Sequence, residues 1–154
     1  MMIRSLNRLK KLRLFLTGIR RRWLRFYRGV MIDSSTSISL SSRLVTGKRG
    51  GIVVGPDSLV AFKTLLYTYD PQSGEEKPIR IGSNCFIGGG STITPGITIG
   101  DKCIIGAGAV VMNDVPSGCI AGGNPARILR TDIEVGRYGR LKGADENTRK
   151  MWQP

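Results

Sequence analysis

Residues 78–111 read PIRIGSNCFIGGGSTITPGITIGDKCIIGAGAVV, and their apolar residues return at every sixth position. Ile81, Ile87, Ile93, Ile99, Ile105 and Val111 keep that register without a slip, and Gly82, Gly88, Gly100 and Gly106 follow four of them. Two residues before each apolar position stands Ile79, Cys85, Ser91, Ile97, Cys103 or Ala109, each compact enough to point inward. A period of six does not fit a helix, whose apolar face returns every three or four residues, but it suits a short strand followed by a turn.

Toward the N-terminus the same register continues more faintly, in one set of Val54, Val60 and Leu66 and another of Ile32, Ile38 and Leu44. Three six-residue rungs close one triangular coil, so these rungs predict about four stacked coils joined as parallel β-structure around a narrow core. The expected fold class is therefore an all-β solenoid over residues 30–130. Residues 46–51 (TGKRGG) interrupt it as a small loop, and residues 67–78 (YTYDPQSGEEKP) as a longer polar one. Solenoid insertions project from one face, where binding sites gather. The repeat is expected to end near Val115-Pro116, followed by a tail at 131–154 that carries no motif and reads as a short helix, a subunit clasp or a loose end.

From Leu9 to Phe26 the period changes. Leu9, Leu12, Leu16, Ile19, Trp23 and Phe26 fall at helical spacing, with Arg8, Lys11, Arg20, Arg21, Arg22 and Arg25 on the other faces. This predicts a basic amphipathic α-helix within residues 1–29, weakened at Gly18 and stopped at Gly29. Its apolar face is expected to pack on the solenoid and cap the open end. Residues 1–28 hold ten Lys or Arg and no Asp or Glu, supplying +10 of the net +13. Attachment to an anionic membrane surface through this segment is a second reading. Nonspecific nucleic-acid binding is a third and weaker one, since nothing else resembles a base-reading module.

At 154 residues the chain suits one domain. Its 21 glycines and 6% aromatics fit many tight turns and small interior side chains. No apolar run approaches the roughly 20 residues that cross a bilayer, and the arginines around Leu14–Leu16 argue against a secretory signal. Cys85, Cys103 and Cys119 form no CxxC pair, and the chain has no histidine, so no metal site is expected. They read as reduced, buried thiols of a cytoplasmic protein, with Cys85 and Cys103 one coil apart and stacked.

The stretch from Pro78 to Val111, then DVPSG at 114–118 and AGGNPARIL at 121–129, closely resembles the hexapeptide-repeat acyltransferases, particularly the small O-acetyltransferases of bacterial surface polysaccharides. The resemblance implies that the solenoid is left-handed, an exception to the usual crossover hand, and that the chain assembles as a homotrimer. It implies acetyl-CoA in a groove between neighbouring subunits. Gly88, Gly89, Gly106, Ala107 and Gly108 would let the pantetheine arm approach the backbone. Arg127 of the NPAR motif would meet the CoA phosphates, or Asn124-Pro125 simply turns the chain out of the last coil. Asn113 stands where many relatives have a lysine.

The family's general base is a histidine followed by Asp on the long loop. This chain has Tyr69 and Asp70 there. A phenol ionises only near pH 10, and a carboxylate with a pKa of about 4 is a weak base toward a sugar hydroxyl. Tyr69 and Asp70 are the candidate catalytic residues. Two functions stand open. One is an acyl-CoA-dependent acetyltransferase acting on a sugar of a surface polysaccharide or its lipid-linked precursor, at the inner face of the cell membrane. The other is a non-catalytic trimer that binds CoA or serves as a scaffold.

Overall fold

The computed structural model describes residue 12, residues 15–24, residue 26 and residues 29–143. Three parallel sheets wind as the faces of a prism. The first face stacks Met31–Ile32, Ile52–Val54, Ile79–Ile81 and Thr98–Ile99. The second stacks Ser37–Ile38, Leu59–Val60, Phe86–Ile87, Ile104–Ile105 and Ile120–Gly122. The third stacks Arg43–Val45, Leu65–Tyr67, Thr92–Ile93 and Val110–Val111. Each coil visits the faces in that order, so the hexads of the sequence are the rungs.

Register is uniform because every rung presents the same pattern to its neighbour. Ile38 lies against Val60, Val60 against Ile87, and Ile87 against Ile105. All four are buried, as are the matching residues of the other faces. The inward position at the first corner, between the first and second faces, carries Thr36, Ser58, Cys85, Cys103 and Cys119, and all five are buried. At the second corner, between the second and third faces, it carries Ser42, Thr64, Ser91 and Ala109. The hydroxyls there donate to nearby carbonyls, Thr36 to Gly55 at 2.6 Å, Ser58 to Gly82 at 2.8 Å and Ser91 to Gly88 at 2.7 Å. Buried polar groups so paired cost little, which is why the fainter coils tolerate Ser and Thr where later ones use Cys and Ala.

Cys85 and Cys103 are stacked as expected, and all three cysteines are buried free thiols. The Cys85 and Cys103 thiols donate to the Gly100 and Pro116 carbonyls, each at 3.0 Å. A hydrogen bond with Cys103 and burial push the Cys85 thiol well above its ordinary range. Among the described residues no group of His, Cys, Asp and Glu is placed to hold a metal ion.

The repeat outlasts Val115-Pro116. Val115 bridges to Ile99, and Ile120–Gly122 still pairs in parallel with Ile104–Ile105, giving part of a fifth coil. The chain then reverses through a cis Asn124-Pro125 bond into Arg127–Arg130, antiparallel to Ile120–Gly122. From there the tail climbs back along the first corner. Ile133 bonds to Gly118, Gly139 lies against Phe86, and the Tyr138 amide donates to Asp57 at 2.7 Å. The Tyr138 hydroxyl reaches Ser35 of the first coil at 3.2 Å, while Arg137 pairs with Asp57 at 2.7 Å. Through residue 143 the tail is a strap across the coils; Trp152 lies outside the described residues.

The helix over residues 15–24 overturns one expectation. Leu12, Leu16, Ile19, Trp23 and Phe26, the expected packing face, are all exposed, Phe26 at 78%; Leu9 lies outside the described residues. The face turned to the solenoid carries Arg20, Arg21 and Leu24. Leu24 is 3% exposed and belongs to the core with Val30, Ile32, Ile38 and Leu44. Arg20 donates to the Ser39 carbonyl at 2.8 Å and to the Ser42 carbonyl, and Arg21 donates to the Ser34 carbonyl. The physical reason is the open edge of the first coil. Its backbone acceptors have no further coil to pair with, and guanidinium groups satisfy them where leucines could not. No helix among the described residues is long and apolar enough to cross a membrane.

This orientation predicts that Leu24→Ala destabilises the fold by about 2–5 kcal/mol. Phe15→Ala on the outward side should change stability by no more than about 0.5 kcal/mol. Urea denaturation of the two variants against the parent distinguishes this arrangement from the reverse one.

Candidate functional site

The residues expected to meet acetyl-CoA lie on the second corner, where successive coils stack Gly88–Gly90 on Gly106–Gly108. Gly90 donates to the Phe62 carbonyl at 2.9 Å, Gly108 to Gly89 at 3.0 Å, and Gly106 to Ala121 at 2.8 Å. The corner is thus a column of small residues fixed from coil to coil by backbone bonds. The glycines in it are not equivalent.

Gly88 is buried, and a Cβ there would come within 2.6 Å of the Ala107 amide and the Ile105 carbonyl, so stacking alone demands glycine. Over Gly89 lies the ring of Phe62, whose atoms would sit 2.7–3.0 Å from a Cβ. Phe62 is 61% exposed and closes the ridge toward the N-terminal coils. Gly90, Ala107 and Gly108 are exposed, and the space around a Cβ at Gly90 or Gly108 is empty. Both have positive φ, 70° and 68°, which favours glycine there. The open part of the ridge is therefore Gly90, Gly106, Ala107 and Gly108, continued by exposed Gly123. The sequence reading missed Gly90 and Phe62; the run Gly88-Gly89-Gly90 signalled the first, and no local pattern signalled the second.

Arg127 stands at the C-terminal end of the same edge, where Gly122 pairs with Arg127. It is exposed, and its guanidinium donates to the Ala126 carbonyl at 3.2 Å. With Asn113, Asp114 and Ala126 it lines a small cavity of about 150 Å³. The Asn124-Pro125 turn delivers the chain to this place, so the turning and the placing of a cation are one feature.

Tyr69 and Asp70 stand on a different edge. The 67–78 insertion leaves the third corner as a small hairpin, Tyr69–Asp70 antiparallel to Glu75–Glu76, with Tyr69 opposite Glu76. Glu76 ties the hairpin to the solenoid by accepting from the Thr68 hydroxyl and from the Gly47 amide at 3.1 Å. Asp70 is fully engaged within the hairpin. It pairs with Lys77 at 2.5 Å and accepts from the Gln72 amide at 3.0 Å and the Ser73 hydroxyl at 2.9 Å. The Lys77 ammonium, then those two donors, bring its carboxyl from the ordinary 3.8 down to about 2. Such a carboxylate is a poorer proton acceptor than a free one. Tyr69 is 52% exposed beside it.

Within one chain the hairpin and the glycine ridge thus occupy separate edges of the prism, while the ridge and Arg127 share one. A site using all of them needs the hairpin of one copy beside the ridge of another.

A family model described as the hexapeptide repeat of succinyl-transferase matches residues 78–113. Among solved structures, a maltose O-acetyltransferase from Clostridium difficile 630 is 32% identical with a TM-score of 0.55, over 69% of this chain and 71% of that one. The polySia-specific acetyltransferase NeuO is 29% identical with a TM-score of 0.63, over 79% of this chain and 63% of that one. A hexapeptide-repeat-containing acetyltransferase from Vibrio cholerae O1 biovar eltor, solved with acetyl coenzyme A, is 27% identical with a TM-score of 0.57, over 81% of this chain and 85% of that one. This chain spans 29%, 55% and 30% of the length of the first three curated relatives that it matches. The three-faced parallel coil, its stacked hexads and these likenesses place the chain in the hexapeptide-repeat acyltransferase family, with the left-handed β-helix as its fold.

Proposed function

We propose that the protein transfers the acetyl group of acetyl-CoA to a hydroxyl of a sugar, carried on a surface polysaccharide or its lipid-linked precursor, in a homotrimer. The observation that carries this reading is the open ridge of Gly90, Gly106, Ala107 and Gly108, which runs along one edge toward Arg127. Such a ridge lets a slender pantetheine arm lie against the backbone, with a guanidinium at its far end for phosphate. The sugar acceptor is supported by the maltose- and polySia-directed relatives.

Acetyl-CoA supplies an activated thioester. In the transfer, the acceptor oxygen forms a bond to the acetyl carbon, the carbon–sulfur bond breaks, and the hydroxyl proton must leave. Tyr69, half exposed on the hairpin, would relay that proton when the hairpin meets the ridge of a neighbouring copy, its oxygen accepting from the sugar hydroxyl as its own proton passes to the departing CoA thiolate. Asp70 holds the hairpin in shape rather than taking the proton, because its oxygens are already occupied by Lys77, Gln72 and Ser73. Positioning two substrates side by side supplies the remainder of the rate.

A second reading, a non-catalytic trimer, draws on two specific facts. The chain has no histidine, and Gly88 and Gly89 are explained by coil stacking and by Phe62 without any ligand. The choice rests on whether the open ridge binds the donor.

Calorimetric titration of acetyl-CoA should show binding near micromolar strength that Ala107→Trp, on the exposed ridge, weakens at least about tenfold. No binding at millimolar acetyl-CoA would remove the transferase reading. Tyr69→Phe should leave that affinity in place and lower acetyl transfer by about 10²–10⁴-fold, followed as thiol release with maltose or polySia as acceptor. An unchanged rate would clear Tyr69 of the proton's path.

Asp70 also sets a pH window. Its folded pKa, about 2, lies below the ordinary 3.8, so its contribution to the hairpin is fully present above pH 3.8 and is lost as pH falls toward 2. Hydrogen exchange at residues 69–76 should show the hairpin opening over that range, and Asp70→Asn should show it open at neutral pH.

A further inference from the structure

The helix at the N-terminal end of the solenoid leaves its most apolar face outward, and the function proposed above does not use it. Leu12, Phe15, Leu16 and Ile19 are 53%, 64%, 41% and 51% exposed. Two grooves run beside this stripe, where the helix lies along the first coil. One, of about 650 Å³, is lined by Phe15, Ile19 and Ile32 together with Arg21 and Arg22. The next, of about 480 Å³, is lined by Phe26 and Met31 together with Arg22 and Arg49. Met31 is itself exposed at the end of the first face. Arg21, Arg22 and Arg49 thus line the same grooves as the apolar Phe15, Ile19, Phe26 and Met31.

Charge decides what such a surface can meet. Residues 1–28 carry +10 with no acidic residue among them, and the first carboxylate in the chain is Asp33. Two copies of this face pressed together would bring like charges into one interface, which opposes self-association. An interfacial helix, by contrast, combines this pair of features, apolar and aromatic residues to enter the boundary of the acyl chains and basic residues to meet anionic headgroups. The inward face explains how the helix can present its apolar side without unravelling. Leu24 and the bonds from Arg20 and Arg21 to the Ser34, Ser39 and Ser42 carbonyls anchor it to the solenoid by its polar side.

We propose that the outward stripe of the N-terminal helix, with the arginine-lined grooves beside it, is a docking surface for an anionic phospholipid bilayer. Apolar side chains Phe15, Ile19 and Met31 enter the headgroup boundary, and Arg22 and Arg49 meet lipid phosphates. The solenoid then stands end-on to the bilayer with its coils projecting into water. Several copies in one assembly would strengthen the attachment by avidity. This surface stands independently of the donor site, since none of its residues belongs to the ridge or the hairpin.

The test is co-sedimentation of the full chain with vesicles of phosphatidylcholine alone and of phosphatidylcholine with phosphatidylglycerol. Binding is expected only with phosphatidylglycerol and should weaken as salt is raised. The Phe15→Asn/Ile19→Asn and Arg22→Glu/Arg49→Glu variants should each lose at least about tenfold in vesicle affinity, with circular dichroism and acetyl-CoA affinity unchanged. The charge variant alters exposed positions only, so it decides the matter if the other fails to fold. Equal binding to both vesicles, or to neither, overturns the proposal. So does a Phe15→Asn/Ile19→Asn variant that binds vesicles like the parent while its sedimentation shows a broken assembly, which would make the stripe a subunit contact. A variant of that kind that still binds vesicles and a DNA duplex alike would leave only nonspecific charge attraction, and that too overturns it. Loss of acetyl-CoA binding with vesicle binding intact would remove the transferase reading and leave the docking surface standing.

Discussion

Everything in this molecule depends on the bonding of each coil to the next through backbone amides in a constant register. The amide of Gly55 meets Ile81, that of Gly82 meets Ile99, and that of Gly100 meets Val115, all at 2.8–2.9 Å. Because the coils repeat, a residue's place in the hexad decides whether it points to the core, sits at a corner or faces out. The core positions take Ile, Val or Leu as far as Val111, the inward positions of the first and second corners take Ser, Thr, Cys or Ala, and those of the third take Val30, Ile52, Ile79 and Ile97. The same constraint aligns one glycine turn above another, and a ridge open enough for a slender ligand follows from that alignment.

A stack held this way has two open ends, and each is closed by different chemistry. At the C-terminal end Arg127–Arg130 folds back antiparallel on Ile120–Gly122. At the N-terminal end the backbone acceptors of the first coil receive guanidinium groups from the helix, and Leu24 fills the centre. The tail then runs back across four coils, with Tyr138 and Arg137 tying Ser35 and Asp57 to the segment that follows the last coil. Closing the edges in these ways protects the sheets from pairing with other chains.

The rungs were legible because a six-residue phase survives even where the residues vary, as at Ile32, Ile38 and Leu44. The glycine ridge and Arg127 were singled out through the family resemblance; hexad phase by itself says only that the turn at Gly88 stacks on the turn at Gly106. The orientation of the helix was not. Apolar periodicity identifies the greasiest face, whereas the solenoid end offers the Ser34, Ser39 and Ser42 carbonyls to the helix arginines, and those backbone groups leave no trace in side-chain pattern. The strap was equally hidden, because Tyr138 meets Ser35 across 103 residues of sequence. Asp70 reads as a free carboxylate in the sequence. Its engagement by Lys77 follows from the hairpin that brings residues 70 and 77 together. Phe62 over Gly89 likewise needs two coils in register before it exists.

In the proposed function the open second corner receives acetyl-CoA and the hairpin of another copy completes the site. Hydrogen exchange of the full chain with and without acetyl-CoA tests it directly. The account predicts slowed exchange at residues 106–108 and 122–124, and in the hairpin at 69–76, with the first corner and the N-terminal helix unchanged. Slowing confined to the first corner or the helix, with residues 106–108 unaffected, would contradict it.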